Sequence, residues 1–338
     1  MLFSVIAAAF NAIAPVVLLI LLGYWLKSRG FLSREFLQKG NWLVFHVTLP
    51  TTLFINVYKL GSLGDINWQV LLYCLLMILV LFVLGFFCCM AASGRPERRG
   101  VIWQGTYRSN FAILGLAIAA ALGGGEAESL AAVTSTTCSA LFNVLAVISL
   151  SSFSTAEGQH SVKGAVKKIV RNPLIIGGVL GFICLLIREV QRRLFGTVVF
   201  ALNVQLKPFY TVLENLKSIT TPFALLVLGG RFEYSAVKGL FREIAAATVF
   251  RLLIAPLLGL GTAIILSGAG LLNCGVNEYS ALVALFGSPA AVVSAIMAAE
   301  MGGDEQLATQ IVVWTSLFSI GTLFLIICTL MWMGCLAV

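Results

Sequence analysis

Apolar residues run along this chain in long blocks separated by short polar clusters, and the blocks set the first expectation. Ten of them, at 3–26, 35–58, 67–92, 100–122, 127–153, 172–188, 208–230, 240–266, 278–301 and 306–333, read as membrane spans. Most reach the ~20 residues that the hydrocarbon core of a bilayer requires of a helix. The sixth is short, and the stretch after it, "REVQRRLFGTVVFALNVQL" at 188–206, mixes charge with apolar residues. It is expected to be a connection that carries an interfacial helix. The pattern therefore predicts an all-α polytopic membrane protein.

Composition agrees. Of 338 residues, 59% are apolar and 11% charged, against about 25% charged in a soluble domain. The net charge of +8 sits in short clusters between the apolar blocks, so it implies no nucleic-acid partner. The odd-numbered connections hold fourteen cations: Lys27, Arg29, Arg34, Lys39, Arg95, Arg98, Arg99, Lys163, Lys167, Lys168, Arg171, Arg231, Lys238 and Arg242. The even-numbered ones hold Lys59, Arg188, Arg192, Arg193, Lys207 and Lys217. The positive-inside rule then predicts a plasma (inner) membrane protein with both termini on the non-cytoplasmic side. The first block begins without a basic leader, and Ala7–Ala9 precede the apolar run, so a retained span is expected and not a cleaved signal. The eight cysteines lie in or beside apolar blocks without zinc spacing, and no metal site or cofactor is expected.

The blocks repeat. Shifted by 179 residues, the fourth and fifth overlay the ninth and tenth without a gap: Ser109 meets Ser288, Ala112 meets Ala291, Gly123–Gly124 meet Gly302–Gly303, Glu126 meets Glu305 and Thr136 meets Thr315. The second overlays the seventh with Pro50 on Pro222, and the first overlays the sixth with Pro15 on Pro173 and Gly23 on Gly181. Five spans in each half put the second copy in upside down. The expectation is two inverted five-helix repeats, 1–153 and 172–338, joined by a cytoplasmic connection at 154–171.

Within this repeat, "ALFGSPAAVVSAIMAAEMGGDE" at 284–305 carries a break that a helix in lipid should not tolerate. Irregular backbone at membrane depth survives only where protein or a water-filled cavity covers it. Pro289 cannot donate a backbone hydrogen bond, and Asn110 occupies the equivalent place in "RSNFAILGLA". Matched interrupted helices point to a transporter's binding site. Their half-helix N-termini, rich in free N–H groups, suit an anion. Arg108 precedes this break, Arg251 lies in the eighth span and His46 in the second. An arginine at the bilayer centre costs about 2.5–3.5 kcal/mol on insertion scales, so each must face an interior. Arg108 reads as a substrate contact or a structural pair. Arg251 reads first as structural and His46 as a packed ring, with coupling or gating as the alternative role for both. Thr51 and its neighbours beside Pro50, and Thr220–Thr221 before Pro222, either line the cavity or bond back to carbonyls freed by the prolines. No Asp or Glu lies well inside a span, which favours an organic anion over a cation as cargo.

"NAIAPVVLLILLGYWLKSRGFLS", "FHVTLPTTLF", "RSNFAILGLA", "LLVLGG" and "GSPAAVVSAIMAAEMGGD" together resemble the auxin efflux carrier family of bacterial permeases, relatives of the plant PIN carriers, over nearly the whole chain. One departure stands out. The family's fourth-span motif usually has Pro just after Gly, whereas Gly115-Leu116 is followed here by Ala117, so Asn110 and Gly115 must carry that break. The resemblance implies a scaffold bundle and a transport bundle whose fourth and ninth spans cross at the site, with carboxylates as cargo.

The expectation drawn from both lines is a secondary transporter, not an enzyme, for a small organic anion such as a mono- or dicarboxylate. Asn110, Ser109, Arg108, Ser288, Pro289 and Thr51 are the candidate substrate contacts. Pro50, Gly115, Pro222 and Pro289 are the helix breaks. Coupling stays open between H⁺ symport, Na⁺ symport, exchange and uniport. The rivals are a sodium-coupled bile-acid-type symporter and a sensor of the same fold without flux. Besides substrate and lipid, the one protein partner the pattern allows is a second copy in a homodimer, although no single face marks it.

Overall fold

The computed structural model describes residues 2–60, 67–153 and 170–336, and most of these are helical. The basic connection around Lys163, Lys167 and Lys168 lies outside them. The helices are α1 (Leu2–Ser28), α2 (Arg34–Leu43), α3 (Leu49–Tyr58), α4 (Trp68–Ala92), α5 (Pro96–Tyr107), α6 (Leu116–Ser152) and α7 (Pro173–Phe195). There follow α8 (Leu202–Gln205), α9 (Lys207–Arg231), α10 (Val237–Val249), α11 (Ala255–Gly268), α12 (Val276–Gly287), α13 (Val292–Glu300) and α14 (Glu305–Trp332). Side chains cap several starts: Ser33, Asn67, Asn172 and Asp304 accept from backbone N–H groups two or three residues on.

Five described helical stretches are long and apolar enough to cross a membrane: 68–92, 116–152, 173–195, 234–268 and 305–332. Four of the other blocks fall short for visible reasons. The second is interrupted by a π turn at Val44–Thr48, directly before Pro50. The fourth and ninth are broken outright. The seventh, α9, carries Lys207, Glu214 and Lys217. The block ending at 188 is longer than expected. Its helix runs on to Phe195 and stops at Gly196 (φ 72°), which takes the left-handed conformation that glycine adopts readily. Only the short turn α8 follows, so residues 189–195 prolong α7 and form no separate interfacial helix. Helix α6 bends at Gly124 (φ 70°), which separates the expected fourth and fifth blocks.

The helices sort into two groups. In one, α1 packs along α9 and α3 along α7. In the other, α4, α5 and α6 pack with α10, α11, α12, α13 and α14. Within the first group glycines let backbones touch. Gly23 of α1 lies against the carbonyl of Leu226 in α9, and Gly181 of α7 lies against the carbonyl of Phe54 in α3. These contacts are counterparts: Gly23 matches Gly181 in the sequence overlay, and Phe54 and Leu226 each lie four residues beyond Pro50 and Pro222. Between the groups, Arg231 pairs with Glu305 at 2.7 Å, and Asn41 Nδ2 donates to Glu300 Oε1 at 2.7 Å. Gln306 and Gln310 donate to the carbonyls of Arg231 and Glu233.

A side chain at Gly181 would bring its Cβ within 2.8 Å of Phe54 O. Gly181→Val is therefore expected to destabilise the protein by about 1–3 kcal/mol, the range for overpacking. Gly178, one turn away on the same helix, has open space around it, and Gly178→Ala should leave stability unchanged or raise it by up to about 1 kcal/mol. Thermal unfolding of the two variants in detergent makes the comparison.

Candidate functional site

The two breaks meet. Helix α5 ends at Tyr107, and Arg108, Ser109 and Asn110 run extended or irregular into a π turn at Phe111–Gly115 before α6 resumes. Helix α12 ends at Gly287, and Ser288–Ala291 are extended before α13. The segments pair as a one-bridge antiparallel ladder, Ser109 opposite Ala290. Asn110 N–H donates to Pro289 O at 2.9 Å, and Ala291 N–H donates to Arg108 O at 3.1 Å. Ala290 N–H donates to Thr315 Oγ1 at 3.2 Å. Backbone groups that leave their own helices thus find partners across the junction, as burial away from water demands. Gly115 permits the close approach of the two chains, because a Cβ there would meet Ala284 O at 2.9 Å.

The half-helix ends have opposite surroundings. At the C-terminal ends, the buried Arg251 guanidinium donates to Tyr107 O, Leu285 O, Phe286 O and Ser288 O at 2.8–3.1 Å. At the N-terminal ends, Asn110, Ala112, Ala291, Val292 and Val293 line a cavity of about 380 Å³. Neither N-terminal end has a side-chain cap, and the first residues of both, Ala112 and Val292–Val293, border this space.

Arg108, Ser109, Thr136, Asn143, Thr52 and Thr220 supply polar groups to the same wall, and Lys59 and Lys217 line it too. No Asp or Glu lines it among the described residues. Arg108 is 4% exposed, and its Nη2 donates to Asn143 Oδ1 at 2.6 Å, with Met297 Sδ beside Nη1. Ser109 Oγ and Asn110 Nδ2 are buried without a hydrogen-bond partner. Lys59 is in ion contact with Glu214 at 2.9 Å. A second, mostly apolar cavity of about 380 Å³ shares Asn56, Thr136 and Asn143 with the first.

Three of the expected substrate contacts, Arg108, Ser109 and Asn110, come together on this wall. Ser288 is buried with its hydroxyl donating to Ala284 O at 2.6 Å, and Pro289 contributes its carbonyl to the junction. Thr51 bonds back to Val47 O at 2.8 Å and does not line the cavity. Its neighbour Thr52 does, bonded both to Thr48 O and to Thr220 Oγ1. Pro50 follows its π turn, and Pro222 sits inside α9; neither lines the cavity. His46 stacks on Trp42 with ring centroids 4.6 Å apart and also lies off the cavity wall. Sequence reading missed Asn143 and Lys217. The signal for Asn143 was present: a lone amide in the apolar run "ALFNVLAV", a placement that is expensive in lipid and usually functional.

A family model described as "Membrane transport protein" matches residues 8–327. An "Uncharacterized transporter" of Methanothermobacter thermautotrophicus is 25% identical over 316 residues, covering 93% of this chain and 95% of that protein. The "Uncharacterized transporter MJ1031" of Methanocaldococcus jannaschii is 25% identical over 324 residues, with 92% and 95% covered. Interrupted helices meeting at a polar cavity and a match along nearly the whole length lead to one assignment: the chain belongs to the membrane transport protein family, the auxin efflux carriers that its motifs resemble.

Proposed function

We propose that this protein is a secondary carrier that moves a small organic anion, a mono- or dicarboxylate, across the plasma membrane by alternating access. The observation that carries this reading is the cavity at the junction. Two uncapped half-helix N-termini, Arg108 and the unpartnered Asn110 amide face one space, and no carboxylate lines it among the described residues. A carboxylate placed there would accept from backbone N–H groups at a helix start and from the Asn110 amide, with Arg108 as counter-charge.

The reading includes ten spans in two inverted repeats, with α5–α6 and α12–α13 as the crossing helices. The counterpart glycine contacts at Gly23 and Gly181 support it, because an inverted repeat requires each half to make the other's contact. The two helix groups supply a scaffold (α1, α2, α3, α7, α9) and a transport bundle. The cavity reaches Lys59, Leu60 and Lys217 at one end. At the opposite end the Arg231–Glu305 pair and the Asn41–Glu300 bond join scaffold to transport bundle, and Arg98 ties Glu243 to Asp304 within the latter. Charge placement along the sequence puts that sealed end in the cytoplasm, so this conformation opens outward.

Three variants test the reading. In liposomes, Asn110→Ala should abolish saturable carboxylate flux while leaving membrane insertion intact; normal flux in a folded Asn110→Ala protein would remove the site assignment. Asn143→Asp gives Arg108 a carboxylate partner. It should keep or raise the thermal midpoint while weakening carboxylate binding at least about tenfold, since the added charge occupies the cation that the substrate needs. Glu305→Gln removes the ion pair across the sealed end. It should raise the labelling rate of cysteines introduced at the cytoplasmic side of the cavity by severalfold, read with a water-soluble maleimide.

A further inference from the structure

We infer that Arg251 is the positioning residue of the anion site: it fixes both broken helices by their C-terminal carbonyls and cancels the negative poles there, leaving the positive N-terminal poles to act on the cavity alone. This rests on the reading of the junction as an anion site.

Arg251 is 1% exposed, yet no carboxylate pairs with it among the described residues. Its partners are backbone carbonyls only: Tyr107 O at 3.1 Å from α5, and Leu285 O at 2.8 Å, Phe286 O at 3.0 Å and Ser288 O at 2.9 Å at the end of α12. These are the groups that a helix end leaves unsatisfied, at a depth where water does not serve them. A guanidinium suits the task because its N–H groups form a rigid planar fork, and one side chain here serves carbonyls from two chain segments. An ammonium has three donors around a point and no such plane.

The counter-charge of Arg251 is therefore the pair of helix C-termini, each equivalent to about half a negative charge. Without it, the dipoles of α5 and α12 would put negative potential at the junction beside the anion. With it, the junction keeps the N-terminal ends of the Phe111–Gly115 turn and α13 as its uncompensated poles. Local backbone aims the side chain. Arg251 sits in the π turn Phe250–Ile254, and Pro256 follows in the first turn of α11. The proline removes the N–H that would bond to Leu252 O, and a π turn inserts one residue, which rotates the helix by about 100° relative to an unbroken α-helix. Arg108 differs on each point: it lines the cavity, and its side chain meets Asn143 and Met297.

The test compares Arg251→Lys, which keeps the charge, with Arg251→Gln, which keeps part of the hydrogen bonding. Hydrogen–deuterium exchange is measured on each purified protein, together with the affinity for acetate and succinate as probes. In both variants, exchange should rise at least about tenfold at 107–112 and at 285–294 together, with 70–90 of α4 unchanged. Carboxylate affinity should fall at least about tenfold in Arg251→Gln and clearly less in Arg251→Lys. A rise at one break only, or a rise spread over the whole protein, overturns the positioning role. Equal loss of affinity in the two variants overturns the electrostatic part. If Arg251→Gln does not fold, Arg251→Lys with the exchange measurement still decides the positioning role. If the wild type binds neither probe, the anion reading fails separately, and the exchange result stands by itself.

Discussion

Everything at the centre of this protein depends on where backbone N–H and C=O groups go when two helices stop inside a membrane protein. Each unsatisfied group there costs several kcal/mol, and a broken helix exposes up to four at each new end. The structure resolves the problem asymmetrically. Groups within the breaks pair with each other, through Asn110 to Pro289 and Ala291 to Arg108. The carbonyl ends go to Arg251. The N–H ends go to a cavity. The proposed binding site rests on that last choice, since donors without an internal partner are donors for a ligand.

The two buried arginines divide the electrostatic work. Hydrogen bonds to a charged group contribute roughly 1.5–3 kcal/mol each, and Arg251 makes four of them to carbonyls that would otherwise be stranded. Its desolvation is thereby offset by interactions already complete in the protein. Arg108 has a single amide oxygen, Asn143 Oδ1, as its oxygen partner, and it borders empty space. A buried cation whose donors are only partly used gains most from an incoming anion.

Contacts inside and between the two helix groups differ in kind. Inside the first group, glycines such as Gly23 and Gly181 bring backbones into direct contact, which makes it a stiff unit. Between the groups, α1 packs along α14, and Arg231–Glu305 and Asn41–Glu300 add polar links. The Arg231–Glu305 contact is an ion pair at 2.7 Å that does not meet the geometry of a directed hydrogen bond, with the Arg231 end buried and the Glu305 end partly exposed. Polar links that reach solvent can be exchanged for water when one bundle moves, whereas packed backbone cannot. The proposed alternating access therefore requires the apolar packing of α1 along α14 to slide while these polar links exchange.

Hydropathy alone determined that this is a helical membrane protein, because lipid imposes length and apolarity on every span that crosses it. The matched "RSN" and "GSP" segments, with a proline that cannot donate and an asparagine in its place, located the junction, because a helix break in lipid must be covered. The tertiary structure decided the rest. Thr51 and Thr52 are adjacent and chemically identical, and only the π turn and the packing of α3 on α9 send Thr52 into the cavity while Thr51 bonds back to its own helix. Arg108 and Arg251 look alike in sequence, each a lone cation in an apolar block. Which of them faces the cavity and which faces carbonyls depends on other helices, Met297 lying 189 residues from Arg108 and Tyr107 lying 144 from Arg251. Lys217 belongs to the wall only because α9 packs where it does. Periodicity and backbone chemistry are local and can be read along the chain; a side chain's partner is set by elements distant in sequence, and only the assembled fold supplies it.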